Sequence, residues 1–281
     1  MSLVIAKILN GHIRIESDSR ILFNNYSEGH FLGRVKAIIV SAEIAICSAG
    51  NIFYFERVIT RIKELQINVS VEFILQIILE ENIESNDGTS FLFCLTGKQN
   101  KLIKIENGNI ERNLTTAWIG DKKGFDKFQS HFIPVSSSGL VKRLGLDYIM
   151  WESFKGVIEY ENIDTVGDIQ ISIISDKGAF KYTGIGTSVP SEKSIKENIK
   201  KGIYPIEKIP LEFSAKNGDY EVKFLPSTDG FSFGLYYSLG NFGVFIKPFS
   251  INSFSILSNC TIKNFCERVE AEFQSQLIRR E

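Results

Sequence analysis

The sequence predicts an α+β fold in which two antiparallel sheets are packed between pairs of helices. The first observation behind this is the order of the segments, which alternates blocks of strands with pairs of helices. The second is the frequency of turn dipeptides such as Asn10-Gly11, which connect adjacent antiparallel strands. The third is that no motif recurs at a fixed period, so a repeat architecture is not expected.

The chain opens with two short strands. Residues 3–9 (LVIAKIL) and 11–16 (GHIRIE) are rich in β-branched residues, and Asn10-Gly11 between them tolerates the positive φ angles of a tight hairpin turn. Residues 35–49 form a second apolar stretch, with Ser41-Ala42-Glu43 as its turn. We therefore expect two strand pairs before the first helix.

Two helices are predicted next. Apolar residues recur at helical spacing from Asn51 to Leu65, and Asn51 can cap the first turn after Gly50. Residues 70–81 (SVEFILQIILEE) repeat this pattern. Each helix is expected to bury one stripe against a sheet.

The middle of the chain repeats this alternation. Strands are predicted at 90–96, 101–106 and 115–119, helices at about 122–132 and 138–155, and a hairpin over 168–174 and 178–183. Asp176-Lys177-Gly178 is the predicted turn of that hairpin.

The remaining residues have a different composition. Residues 187–208 are polar and lysine-rich and are predicted to contain a short helix. Strands are expected from 209 onward, with turns at Asn217-Gly218, Asp229-Gly230 and Gly240-Asn241 and a closing helix near 261–278. We therefore divide the chain into a core of residues 1–186 and a β-rich extension of residues 187–281, packed on the core or completing it.

Composition excludes several classes of function. A formal net charge of -1 gives no electrostatic basis for nucleic-acid binding. The first twenty residues contain neither a signal peptide nor a membrane span, so we expect a cytoplasmic protein. No metal and no cofactor is expected, because Gly184-Ile-Gly186 lacks the third glycine of a dinucleotide site and the cysteines and histidines lack ligand spacing. These residues are Cys47, Cys94, Cys260, Cys266, His12, His30 and His131.

Ser2 is the candidate nucleophile. It would be exposed by removal of Met1 and is followed at once by a predicted strand. An N-terminal serine can use its own free α-amine as the base that accepts the hydroxyl proton. Taken alone, a small residue after the initiator Met is more often without a catalytic role.

The stretch from Ser2 through Asn10-Gly11 to Asp18-Ser19-Arg20 resembles the opening of proteasome β subunits and is closer still to the bacterial proteasome-like peptidase that works beneath an AAA+ unfoldase ring. The resemblance implies a four-layer αββα sandwich, the N-terminal-nucleophile (Ntn) hydrolase fold. It implies catalytic roles for Ser2 and Asp18, and Arg34 falls where the family has a lysine. Lys36 is a possible substitute that requires a change of register.

The resemblance also implies a set of supporting residues. Ser48, Ala49 and Gly50 are similar to the family's small-residue turn, whose backbone N–H groups form the oxyanion hole. Gly120-Asp121 and the segment from Asp164 to Gly167 are similar to two further family segments. Both depart from the pattern, because Asp121 and Gly167 stand where the family has serine.

The leading hypothesis is a serine-type Ntn peptidase or amidase that acts on peptides or proteins. The resemblance implies a homo-oligomer and a possible AAA+ unfoldase or other protein partner. The competing hypothesis is an inactive Ntn-fold scaffold or interaction protein, in which Arg34, Asp121 and Gly167 reflect lost catalysis. A third alternative is an unrelated α+β binding domain.

Overall fold

A computed structural model describes residues 2–19, 35–65, 70–161, 163–167, 169–187, 222–238, 241–249 and 254–279. Within these ranges the chain forms fourteen strands and six helices, and the strands assemble into three antiparallel sheets. The predicted α+β class is confirmed, and the predicted antiparallel pairing is found in every sheet. None of the helices in the described part of the chain is long and apolar enough to cross a membrane.

The strands are β1 (Leu3–Leu9), β2 (His12–Ser17), β3 (Ala37–Ser41), β4 (Ile44–Gly50), β5 (Thr89–Leu95), β6 (Lys101–Glu106), β7 (Asn109–Leu114), β8 (Thr116–Gly120), β9 (Ile169–Asp176), β10 (Ala179–Thr187), β11 (Val222–Pro226), β12 (Phe233–Tyr237), β13 (Phe242–Ile246) and β14 (Phe254–Leu257). The helices are α1 (Ile52–Glu64), α2 (Val71–Glu84), α3 (Lys122–Ser136), α4 (Val141–Leu144), α5 (Leu146–Tyr160) and α6 (Ile262–Phe273).

Sheet 1 has the strand order β10-β9-β2-β1-β8 and contains the start of the chain. Its central hairpin turns at Asn10 and Gly11, whose φ angles of 48° and 84° are those the Asn-Gly dipeptide tolerates. The register places Val4 opposite Ser17 and Leu3 opposite Gly120. As a result, the first residues of β1 lie between the end of β2 and the end of β8.

Sheet 2 has the strand order β3-β4-β5-β6-β7 and packs against sheet 1. Val4 and Ala6 of β1 share a hydrophobic core with Ala45 and Cys47 of β4. The two sheets therefore meet face to face, with β1 close to β4.

Helices cover the outer face of each of these two sheets. Alternate residues of β1, such as Leu3 and Ile5, pack with Phe128 of α3 and Phe154 of α5 on the face away from sheet 2. Helices α1 and α2 contact β4, β5 and β6 on the other side of the molecule. The layers therefore run from α1 and α2 through sheet 2 and sheet 1 to α3 and α5.

Sheet 3 has the strand order β11-β12-β13-β14 and lies beside the other two sheets. Phe233 of β12 belongs to the core shared by sheets 1 and 2, and its ring centroid is 4.8 Å from that of Tyr182 in β10. The opposite face of sheet 3 packs on Phe265 of α6. This close packing needs glycine, because a Cβ at Gly243 would overlap the Phe265 ring.

Two details differ from the prediction. The sequence predicts no strand at the residues of β7, although Asn107-Gly108 before them forms a hairpin turn with positive φ angles. The single helix predicted at 138–155 is instead two helices, α4 and α5, separated by Gly145 with φ 80°. The predicted helix within 187–208 and the turn at Asn217-Gly218 lie outside the described residues.

Candidate functional site

Ser2 lies directly before β1, at one end of sheet 1, and is 4% exposed. Its carbonyl oxygen accepts a hydrogen bond from the Asp121 N–H at 2.6 Å. A Cβ on Gly120 would overlap this same oxygen, so the close approach of β8 to Ser2 requires glycine. The position of Ser2 is thus set by β8 and by the start of α3.

Asp18 follows β2 and is fully buried beside the first peptide of β1. One of its oxygens, Oδ1, accepts the Leu3 N–H at 2.8 Å, and Oδ2 accepts the Lys36 ammonium at 2.9 Å and the Gly167 N–H at 3.3 Å. Burial raises the pKa of the Asp18 carboxyl, while the charge of Lys36 and these hydrogen bonds oppose the rise. Asp18 therefore connects β1, Lys36 and the 163–167 turn.

Lys36 is the cation bonded to Asp18, and its side chain is 4% exposed. It stands directly before β3, and its carbonyl oxygen accepts the Ser48 N–H at 2.9 Å. Arg34, which the resemblance placed in this role, lies outside the described residues. The sequence offers no signal that favours Lys36 over Arg34, because the apolar stretch begins at Val35, between the two.

Strand β4 ends with Ser48, Ala49 and Gly50. These residues lie at the end of sheet 2 where Lys36 precedes β3. The Ser48 N–H is engaged with the Lys36 carbonyl, so it is not available as an oxyanion donor. The Ala49 side chain faces sheet 1, because a Cβ on Gly120 would lie 3.1 Å from the Ala49 Cβ. Gly50 has φ 123° and no room for a side chain, since a Cβ there would overlap the Gly88 carbonyl. Ala49 and Gly50 thus come near the end of β8.

Asp121 is the N-cap of α3, and its Oδ1 accepts the Gly124 N–H at 2.9 Å. Its Oδ2 accepts the Thr165 hydroxyl. Burial alone would raise the pKa of Asp121, but the bonds from Thr165, Gly124 and Lys123 and the positive amino terminus of the chain lower it. Asp121 is thereby held in its charged form.

The 163–167 turn contributes more than the sequence indicated. Asp164 has an exposed side chain, whereas its neighbour Thr165 supplies the hydroxyl bonded to Asp121. Gly167 donates its N–H to Asp18, and its carbonyl accepts the Ser19 N–H at 3.4 Å. The sequence does not single out Thr165, because the family resemblance implies a hydroxyl at position 167, where this chain has glycine.

The structure brings together, at one end of the two sheets, a serine at the start of a strand, a buried lysine–aspartate pair and a second aspartate. These groups suit acid–base and nucleophilic chemistry on an uncharged substrate group. Among the residues that the structure describes, no three His, Cys, Asp or Glu side chains are grouped so as to hold a metal ion.

Comparisons with known proteins do not identify a relative. No protein-family model matches the sequence, and no curated protein matches it.

Proposed function

We propose that this chain is a serine-type Ntn hydrolase that cleaves amide bonds of peptides or proteins through Ser2, once Met1 has been removed. The observation that carries the proposal is the buried Lys36–Asp18 pair, whose carboxylate also accepts the Leu3 N–H next to Ser2. A charged pair is costly to bury, and a site with a chemical task is one place where such pairs occur.

In this proposal the Ser2 amine is the base and the Ser2 hydroxyl is the nucleophile. The amine takes the hydroxyl proton as Oγ attacks the carbonyl carbon, and it then returns a proton to the leaving amine. Water next hydrolyses the ester left on Ser2, with the same amine as base, and restores the free hydroxyl. A free α-amine has a pKa of about 8, and a nearby positive charge lowers this pKa. In this proposal the ammonium of Lys36 has that role, and unlike an arginine it is compact and can release a proton. Its bond to Asp18, which also accepts the Leu3 N–H, supports this assignment.

Gly50 is the preferred oxyanion donor. Amide directions alternate along a strand, so the Gly50 N–H points to the same side as the Ser48 N–H, which donates to Lys36. Strand β3 begins only at Ala37, so this N–H lies beyond the paired part of β3. An N–H fixed in this direction can stabilise the negative charge that develops on the substrate oxygen.

The arrangement of layers supports the Ntn hydrolase fold. Two antiparallel sheets face each other, and a helix pair covers each of them, as the resemblance to proteasome β subunits implies. The homo-oligomer and the AAA+ unfoldase partner implied by the same resemblance remain predictions. The competing scaffold hypothesis rests on the departures at Asp121 and Gly167.

The test combines intact-mass analysis with covalent labelling by an amide-mimicking electrophile such as a β-lactone. We expect a mass that begins at Ser2 and one equivalent of label, and we expect Ser2→Ala to abolish labelling without changing the unfolding midpoint. Retention of Met1 in the purified protein would defeat the mechanism. A chain that begins at Ser2 but never reacts would favour the scaffold hypothesis.

A further inference from the structure

The N-cap residue of α3, Asp121, is bonded to Ser2 through its backbone. The Asp121 N–H is bonded to the Ser2 carbonyl oxygen at 2.6 Å, and the side chain of Asp121 belongs to the buried surface of the site. The nitrogen and the carbonyl oxygen of one residue are at most about 3.6 Å apart. The Ser2 nitrogen is therefore within about 6 Å of the Asp121 backbone nitrogen.

The Asp121 carboxylate retains acceptor capacity. Gly124 donates to Oδ1 and Thr165 to Oδ2, and the Lys123 N–H is a third donor to the carboxylate. A carboxylate has about four lone-pair sites, so one remains for a further donor. The Asp18 carboxylate, in contrast, already accepts from a charged donor, the Lys36 ammonium.

The charged groups that face the start of β1 come from four elements. Asp18 follows β2, Lys36 precedes β3, Asp121 caps α3, and Asp164 stands exposed on the 163–167 turn. Although burial raises the pKa of Asp121, hydrogen bonds from Thr165, Gly124 and Lys123 lower it, so this carboxylate is charged.

We propose that Asp121 is a positioning residue that binds the amino group of Ser2, and that Thr165 holds the Asp121 carboxylate in the orientation needed. This inference rests on the proposed function, because it assigns Asp121 a role towards the base of that mechanism. An ammonium–carboxylate bond orients the amine and favours its protonated form. The neutral base would then be available only at higher pH.

The test measures the titration of the amine itself and does not require activity. The chain is produced with Ser2 at its start by cleavage of an N-terminal fusion, and the Ser2 amine is trace-labelled with acetic anhydride across a pH series. Peptide mass spectrometry gives the midpoint of the reaction. We expect Asp121→Asn to lower this midpoint by about one unit, because the ammonium loses its anionic partner. Thr165→Val should lower it by less.

Two controls accompany this measurement. Asp126→Asn removes the same charge from an exposed position one turn along α3 and should leave the midpoint unchanged. Asn is itself a good N-cap, so Asp121→Asn keeps the start of α3, and Asp121→Ser provides a second cap that lacks the charge. Equal midpoints for the wild type, Asp121→Asn and Asp121→Ser would overturn the inference.

Labelling of the Ser2 hydroxyl by the β-lactone is measured on the same samples. If Asp121→Asn lowers the midpoint of the amine but the Ser2 hydroxyl does not react, the proposed hydrolase is refuted and the role of Asp121 in binding the amine is retained. If the Ser2 hydroxyl reacts but Asp121→Asn and Asp121→Ser leave the midpoint of the amine unchanged, the role of Asp121 is refuted and the proposed hydrolase is retained.

Discussion

Lys36 and Asp18 form an ion pair that is almost completely buried. Their side chains are 4% and 0% exposed, so each charge relies on its partner and on local hydrogen bonds for stabilisation. Removing one member of such a pair leaves the other buried and uncompensated, which costs more than removing both.

We predict that Lys36→Met lowers the free energy of unfolding by about 3–5 kcal/mol, because the buried Asp18 carboxylate loses the ammonium bonded to its Oδ2. The double variant Lys36→Met with Asp18→Asn should regain part of this loss, since asparagine carries no charge and can still accept the Leu3 N–H. Urea unfolding followed by tryptophan fluorescence gives both values. Strict additivity of the two changes would show that the pair is not coupled.

At this scale the sequence predicted some residues and not others. Ser2 and Asp18 could be predicted because they flank the first hairpin, whose two strands and turn have a regular sequence pattern. Lys36 could not be chosen over Arg34, because fifteen or more residues of irregular composition separate it from β2 and no periodicity fixes their register. Thr165 escaped because its hydroxyl reaches Asp121 from two residues before Gly167.

Among the elements, the end of β8 does most to place Ser2. Gly120 has φ 100° and passes so close to Ser2 that a Cβ would overlap the Ser2 carbonyl oxygen. Any side chain here must push β1 and α3 apart.

Gly120→Ala should therefore slow Ser2 labelling by about 100-fold, the effect of displacing a reacting group by about 1 Å. The strained φ angle should also destabilise the fold by roughly 1–3 kcal/mol. Gly139→Ala is the matched control, because a Cβ there meets no atom within 4 Å. Equal labelling rates for the two variants would mean that β8 does not set the position of Ser2.

The sequence predicted the ends of helices and strands correctly where a capping residue or a turn dipeptide determines them. Asn51 caps α1 and Asn10-Gly11 turns the first hairpin, as predicted, because both depend on neighbouring residues only. Helix α3 extends past the predicted end to Ser136 and includes Pro134. Proline is tolerated there because it removes one hydrogen bond within the last turn, while Phe128 and Phe132 hold the helix on sheet 1.

Over the whole molecule, one hydrophobic core links all three sheets. Phe233 of sheet 3, Val4 of sheet 1 and Ala45 of sheet 2 belong to the same buried cluster. Both tryptophans lie outside sheet 3. Trp118 is in β8 of sheet 1, and Trp151 is in α5. Their fluorescence can therefore report whether sheet 3 unfolds together with the rest.

We predict that Phe233→Ala lowers the stability reported by tryptophan fluorescence by about 3–5 kcal/mol, the cost of deleting a buried aromatic ring. Fluorescence and far-UV circular dichroism should give the same midpoint if the sheets unfold together. Phe53→Ala is the control, because that ring is 52% exposed. A Phe233→Ala transition seen only by circular dichroism would mean that sheet 3 unfolds separately.

The alternation of strands and helices was enough to predict the class of this fold. It could not predict that the inner face of sheet 3 would join the core. That contact connects Tyr182 of β10 with Phe233 of β12, 51 residues later in the chain, and leaves no local pattern. Long-range packing of this kind depends on which faces remain uncovered once the first two sheets have paired.

The bonds that anchor the start of β1 bear on the proposed removal of Met1. The Ser2 carbonyl, the Leu3 N–H and the Leu3 carbonyl are held by Asp121 and Asp18, and all three groups follow the Met1–Ser2 peptide bond in the chain. Excision of the initiator methionine would break none of these bonds. In the proposed hydrolase, removal of Met1 would thus uncover a site whose supporting hydrogen bonds are already made.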